Sequence, residues 1–381
     1  MRILFLSVPT GQGHHQTCKA LEDYYAGKEG IECRTLDVVD NVDPLLAELL
    51  SSAYLLSTKV TPKVYGTFYG LAEKRDYSKN SSVGKLVKSI LNKKLMRYLK
   101  DYKPDVVVAT HIFSAIAISY LRRKYPFKAK TVAVITDFTV HPFWEDVDVD
   151  YYITATELLD FQATRKGYPA DKVKPFGIPI SPKFSKSLPQ DEARRELGLE
   201  DKFTVLLMMG SMGYGSDTMA NIKRLDSLDE DIQLITVCGN NKKLKLRIDA
   251  MKKSKSFINY GFTHNVDLLM DAADCIITKP GGLSTSEALA KNLPIIMLDP
   301  IPGQEDRNEE FMLNNGLAMS ISETFTVDEA IYQLIHHPYR IRQLKENMKI
   351  IAKPDSARDM GEFLISICGH EKPDKNETSV K

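Results

Sequence analysis

The chain has 381 residues, with 51 basic and 50 acidic side chains and a formal net charge of +1. That length exceeds one ordinary core and suits two domains, each somewhat under about 200 residues. The near-zero net charge excludes a global field drawing the protein to nucleic acid or anionic lipid, so any such attraction is local.

The first predicted strand, Ile3 to Val8, is too short for a signal sequence. It ends at Pro9-Thr10-Gly11-Gln12-Gly13-His14-His15, and a helix is predicted through about Tyr25. A dinucleotide turn would read Gly-x-Gly-x-x-Gly, but Gln16 stands in the third glycine's place. This counts against NAD, although Asp37 ends the second strand where a ribose-binding acid would sit. His14 opens the helix, whose dipole disfavours an imidazolium, so its ring is expected to be neutral and able to accept a proton. A cap or a phosphate-facing donor is the alternative for His14, and His15 reads as structural.

Strand-like runs continue at Ile31 to Val38, Asp105 to Ala109, Thr131 to Ile135 and Tyr151 to Thr154, with helical periodicity between most of them. Such alternation implies an α/β fold with a parallel sheet covered on both faces. Between Lys59 and Lys103 stand twelve Lys or Arg residues against three acids, with Tyr65, Phe68, Tyr69, Leu71 and Tyr77 interleaved. Leu86, Val87, Ile90, Leu91 and Leu95 follow at helical spacing. A surface of this kind docks on anionic lipid, or simply faces water, and no nucleic-acid module accompanies it. The longest apolar stretch, Val106 to Leu121, is broken by Thr110-His111 and several serines and falls short of the ~20 residues that span a bilayer.

After the Thr131 to Ile135 strand come Thr136-Asp137-Phe138 and His141-Pro142-Phe143-Trp144. Asp146, Asp148 and Asp150 alternate as metal ligands would, but they precede a strand and read as a solvated turn. A proline-rich break at Pro175, Pro179 and Pro182 ends the first half. The alternation restarts with Phe203 to Met209, Ile232 to Val237, Phe257 to Tyr260, Cys275 to Ile277 and Ile295 to Leu298.

Phe203 to Met209 runs into Gly210-Ser211-Met212-Gly213, a turn whose amides suit a diphosphate. Past Cys275 to Ile277, Gly281, Gly282 and Leu283 let backbone approach a ligand, and Ser284 is expected to open a helix through Lys291. Ser284 and Glu287 fit a capping box, Ser-x-x-Glu, but Glu287 also suits a pair of ribose hydroxyls. Pro302-Gly303-Gln304-Glu305 and Asn308 set several donors and acceptors on one predicted loop, as a hexose requires. After Phe325 the pattern is helical, and Glu371 to Lys381 is polar and expected to be disordered. Five widely spaced cysteines read as reduced thiols in a cytoplasmic protein.

From Lys279 to Asn308 the chain resembles the donor site of the inverting glycosyltransferases that include monogalactosyldiacylglycerol synthases and bacterial processive diacylglycerol glucosyltransferases. The muramyl-lipid N-acetylglucosaminyltransferase is a more distant likeness. The similarity runs from the opening strand to about Ile351, and it implies the GT-B fold of two Rossmann-like domains around a cleft. Residues 1–180 would form the acceptor- and membrane-facing domain, residues 181–351 the UDP-sugar domain, residues 352–370 a helix crossing back, and 371–381 a tail. The family's Gly-x-Gly-His, anchored on Gly13, implies that His14 is the base, with Asp137 assisting. By the same resemblance His141 and Trp144 line the acceptor's path, although Trp144 reads equally as packing the domain edge, and Phe262 lies where the nucleobase binds, although it reads equally as a core aromatic. The diphosphate would lie between Gly210–Gly213 and Gly281–Ser284, the ribose on Glu287, and the sugar on Gly303, Gln304, Glu305 and Asn308. The implied donor is UDP-glucose or UDP-galactose, the acceptor diacylglycerol, and the implied metal or other cofactor none. The implied location is the inner face of the cell membrane, peripherally bound through 59–103. Another lipid or small-molecule acceptor, or a non-catalytic sugar-nucleotide-binding role, is the alternative.

Overall fold

The computed structural model describes residues 1–8, 12–38, 94–126, 128–210, 213, 217–303 and 305–369. Most of the basic stretch expected to face the membrane, residues 59–93, and the tail 371–381 lie outside the described residues.

The first lobe carries strands β1 (Arg2–Ser7), β2 (Glu32–Asp37), β3 (Val106–Ala109), β4 (Lys130–Val134), β5 (Tyr151–Ile153) and β6 (Val173–Lys174). Its helices are α1 (Gln12–Tyr25), α2 (Lys94–Tyr102), α3 (Ile112–Lys124) and α4 (Asp160–Arg165). The second lobe carries β7 (Phe203–Met208), β8 (Ile232–Val237), β9 (Ser256–Tyr260), β10 (Cys275–Thr278), β11 (Ile295–Met297) and β12 (Ala318–Ser320). Around them lie α5 (Gln190–Leu197), α6 (Thr218–Ser227), α7 (Lys242–Asp249), α8 (Val266–Ala272), α9 (Gly282–Ala290), α10 (Glu305–Asn314), α11 (Val327–His336) and α12 (Pro338–Ile351). The chain then returns as α13 (Ser356–Ile367).

All strand pairs are parallel, in the orders β2-β1-β3-β4-β5-β6 and β12-β11-β10-β7-β8-β9. Parallel strands buried on both faces read as near-continuous apolar runs, which is why Val106–Ala109 and Ile232–Val237 are wholly buried. Each order reverses once, between β1 and β3 in the first sheet and between β7 and β10 in the second. Ligands of open α/β sheets bind outside the carboxyl ends of the strands at that reversal. Those ends are Val8 and Thr110 in one lobe, and Gly210 and Gly281 in the other.

The lobes share packing as well as a cleft. Phe138, Ile178, Ile180 and Phe184 join the second lobe's core, and the Phe138 ring lies 5.4 Å from that of Phe311 on α10. Helix α13 packs Met360 and Leu364, both 0% exposed, among Ile3, Phe5 and Leu21 of the first lobe. There the Tyr25 hydroxyl donates to the Gly361 carbonyl at 2.8 Å. On α2, Leu95, counted among the apolar residues of the expected membrane face, is buried with Leu99 against Leu4 and Leu6.

Candidate functional site

His14 lies in the first turn of α1, at the reversal point of the first sheet. Its Nδ1 is 2.8 Å from the Thr110 carbonyl and 3.1 Å from Thr136 Oγ1. A carbonyl can only accept, so Nδ1 carries the proton and Nε2 keeps a lone pair. Burial holds the imidazole's pKa below its ordinary value, opposed by the Asp137 carboxylate and the Thr110 hydrogen bond. His111 meets His14 edge-on, with ring centroids 4.6 Å apart. It caps α3 by accepting from Phe113 N–H at 3.1 Å, so its own Nδ1 is unprotonated. Burial, and then His14, push the His111 pKa well down.

In the second lobe, α9 starts two residues earlier than expected, at Gly282, with Gly281 as its N-cap and no side-chain cap bond. Ser284 is therefore inside the helix, and the capping-box reading of Ser284 and Glu287 does not hold. The uncapped amides of the first turn and the helix dipole together attract an anion. Gly282 permits this placement, since a Cβ there would lie 1.9 Å from the Thr136 carbonyl of the first lobe. In the same lobe, after the neighbouring strand β7, Gly210 takes a positive φ of 69°, with open space where a Cβ would be. At Gly213 a Cβ would sit 2.0 Å from the Cys238 carbonyl. Glu287 is half-buried without a hydrogen-bond partner among the described residues, and burial, eased by Lys183, raises its carboxyl pKa to about 8.

A cavity of about 550 Å³ joins these groups, with His14, Asp137, Gly210, Gly282, Glu287 and Glu305 on its wall. Gly13, Gly281, Leu283, Ser284 and Phe262 also line it, and the Phe262 ring is 49% exposed. Residues given no site role in the sequence contribute too. Thr136 lines the cavity, and so do Gln16, Lys19 and Asp23 on α1 and Lys183 in the hinge, paired with Asp267 at 2.8 Å. Thr110 was visible only as a polar break in an apolar run. Its position at the end of the strand beside β1 is the signal that marks it.

Several expected residues lie elsewhere. Trp144 is 4% exposed and packs with Ile135, Val140 and Tyr152, so it lies in the core, off the cavity, as its alternative reading had it. His141 is likewise buried off the cavity, and burial, Arg307 and Lys166 lower its pKa to about 3. Gly303 is buried off the cavity, its N–H bonded to Asp306 at 2.8 Å. Glu305 does reach the cavity, although Oε2 accepts from Ile301 N–H at 2.8 Å. The segment drawn as a loop through Asn308 is helix α10 from Glu305 onward, and Asn308 is fully buried off the cavity, not set to read a sugar. Ser211, Met212 and Gln304 lie outside the described residues. Among the alternating aspartates, Asp150 binds Arg122 at 2.6 Å and Thr131, and Asp148 pairs with Arg123 at 3.7 Å.

Known proteins carry both halves of this arrangement. Residues 14–180 match the model of the Monogalactosyldiacylglycerol (MGDG) synthase family, and residues 204–360 that of the Glycosyltransferase family 28 C-terminal domain. A processive diacylglycerol beta-glucosyltransferase of Bacillus cereus (strain 03BB102) is 30% identical over 386 residues, covering 100% of this chain and 96% of that one. Among solved structures, MurG of Acinetobacter baumannii superposes with a TM-score of 0.62 at 14% identity, covering 96% of this chain and 99% of that one. Anabaena HepE in complex with UDP-glucose gives 0.55 at 15% identity, covering 97% and 99%. The fold is GT-B. With relatives aligned through both lobes and the cleft between them, the chain belongs to the processive diacylglycerol beta-glucosyltransferase family.

Proposed function

We propose that the protein transfers glucose from UDP-glucose to diacylglycerol, with inversion at the anomeric carbon. The observation that carries this reading is that His14 and the uncapped start of α9 face one cavity from opposite lobes. A proton acceptor and an anion site are thereby held on either side of a space large enough for a sugar. The named activity of the full-length relatives supports the choice of glucosyl donor and lipid acceptor.

In this mechanism the UDP diphosphate lies on the α9 amides, faced by the Gly210 turn. Glu287 accepts from the ribose hydroxyls, Phe262 lies against the base, and Glu305 with Gln304 reads the sugar. His14 Nε2 takes the proton of the acceptor hydroxyl as its oxygen attacks C1. The bond from C1 to the phosphate oxygen breaks on the opposite face, and its electron pair leaves with UDP. Charge developing on that oxygen falls on fixed dipoles, which act where solvent is excluded. We assign no metal to this step, the helix start taking the electrostatic role. Among the described residues no helix is long and apolar enough to cross a membrane. The acceptor is a bilayer lipid, so the protein would work peripherally at the membrane surface.

Incubation with UDP-glucose, UDP-galactose and UDP-N-acetylglucosamine in diacylglycerol micelles, with products weighed by mass spectrometry, tests the proposal. Glucosyl-diacylglycerol is the expected product. A product only from another donor corrects the sugar, and no lipid product from any donor overturns the reading.

A further inference from the structure

Asn308 is 0% exposed, and every polar atom of its side chain is engaged. Its Oδ1 accepts from Phe138 N–H at 2.8 Å, and its Nδ2 donates to Asp137 Oδ1 at 3.0 Å and to the Pro280 carbonyl at 2.9 Å. An amide offers one acceptor and two donor hydrogens on a planar group, which matches an N–H, a carboxylate and a carbonyl. Two of the three partners belong to the strip Thr136–Phe138 after β4, in the first lobe. The third lies in the turn between β10 and α9, next to the anion-binding helix start.

That strip is also gripped from the second lobe by the Gly282 contact with the Thr136 carbonyl and by Phe138 against Phe311. It supports His14 directly, since Thr136 Oγ1 is 3.1 Å from His14 Nδ1 and Asp137 is the carboxylate that faces the imidazole. We propose that Asn308 is an interlobe positioning residue, which aims the Asp137 carboxylate at His14 and so ties the base to docking of the donor-binding lobe. The proposal rests on the reading of His14 as the base.

His14 is faced by Asp137 from the β4 loop and by His111 from α3. Asp137 is approached by Glu305 from α10, which Lys279 partly offsets. Without Asn308 the Asp137 carboxylate loses a buried donor while keeping a like charge nearby. It turns away or takes up a proton, His14 loses its counter-charge, and protonation of the base moves to lower pH.

The test measures kcat and KM for UDP-glucose, with the pH profile of kcat/KM, in the full chain. The variants are Asn308→Ala, Asn308→Ser, Asp137→Asn, Asn308→Ala with Asp137→Asn, and His14→Ala. Asn308→Ser retains one hydroxyl and carries the test if the alanine variant does not fold, and a thermal shift with UDP reports folding of each. We expect kcat to fall roughly 10- to 100-fold, the rate equivalent of one lost hydrogen bond to a charged group, with KM nearly unchanged. The acidic limb should move to lower pH in the Asn308 variants as in Asp137→Asn, and the double variant should add no further shift. An unmoved limb with a lower Tm makes Asn308 merely structural, and a raised KM with normal kcat makes it a sugar contact. Either result overturns the proposal. A fully active His14→Ala overturns the reading of the base instead, whatever Asn308 does.

Discussion

The 2.8 Å contact from His14 Nδ1 to the Thr110 carbonyl determines which nitrogen of the ring is free, and so what the residue can do. Loss of a positioned general base costs typically about 100- to 10,000-fold. His14→Ala is therefore expected to lower kcat by that range while UDP still raises the Tm, and an active variant would remove the base. Glu287 makes a prediction about stability. Burial raises its carboxyl pKa from the ordinary 4.5 to about 8, so between those pH values the folded chain holds a proton that the unfolded chain has released. Stability from this group is complete below about pH 4.5 and is lost as pH rises towards 8. Melting curves of the ligand-free protein should show Glu287→Gln flattening that decline, and a decline equally steep in the variant would refute the assignment. Trp144→Ala is expected to cost about 3–5 kcal/mol of stability, as a large core side chain does, while the folded fraction keeps its KM for acceptor. That His14, Gly282 and Glu287 would share one cavity was legible because glycines and helix starts advertise themselves locally. The fates of Trp144 and Asn308 were not, because their partners are distant in the chain, as with Asp137 and Asn308 at a separation of 171 residues.

At the level of elements, the β10–α9 turn is set by contact with the other lobe as much as by its own sequence. Because a Cβ on Gly282 would lie 1.9 Å from a backbone carbonyl, no rotamer change relieves Gly282→Ala; the lobes must part. Overpacking of this kind costs about 1–3 kcal/mol, and displacement of a reacting group by an ångström costs on the order of 100-fold in rate. The variant should stay folded, lose kcat/KM by about that factor and scatter X-rays with a larger radius of gyration. Wild-type kinetics would show that the lobes do not need this contact. Ten of the strands could be read from the chain because buried parallel strands are short apolar runs between helical patterns. β6 and β12 were missed: β6 has only two residues, and β12, Ala-Met-Ser, lacks the aromatic or branched apolar run by which the equally short β5 and β11 could be read. The Ser284–Glu287 pair misled for a related reason. Its spacing satisfies a cap, but the helix begins where the glycines allow it, at Gly282.

For the whole molecule, the proposed division of labour places proton transfer in one lobe and leaving-group stabilisation in the other. If helix dipoles serve in place of a cation, turnover should be unchanged in excess EDTA, and loss of activity restored by Mg²⁺ would overturn that assignment. The return of α13 to the first lobe has a consequence for how the protein is made. The second sheet is encoded between residues 203 and 320 and gathers neighbouring segments of chain. The cluster that packs Ile3 and Phe5 with Leu21 of α1 is completed only when Met360 and Leu364 arrive. Domains emerging from the ribosome generally mature in order of translation. Here part of the amino-terminal core must wait, its greasy underside open to chaperones, until Ser356–Ile367 has been made.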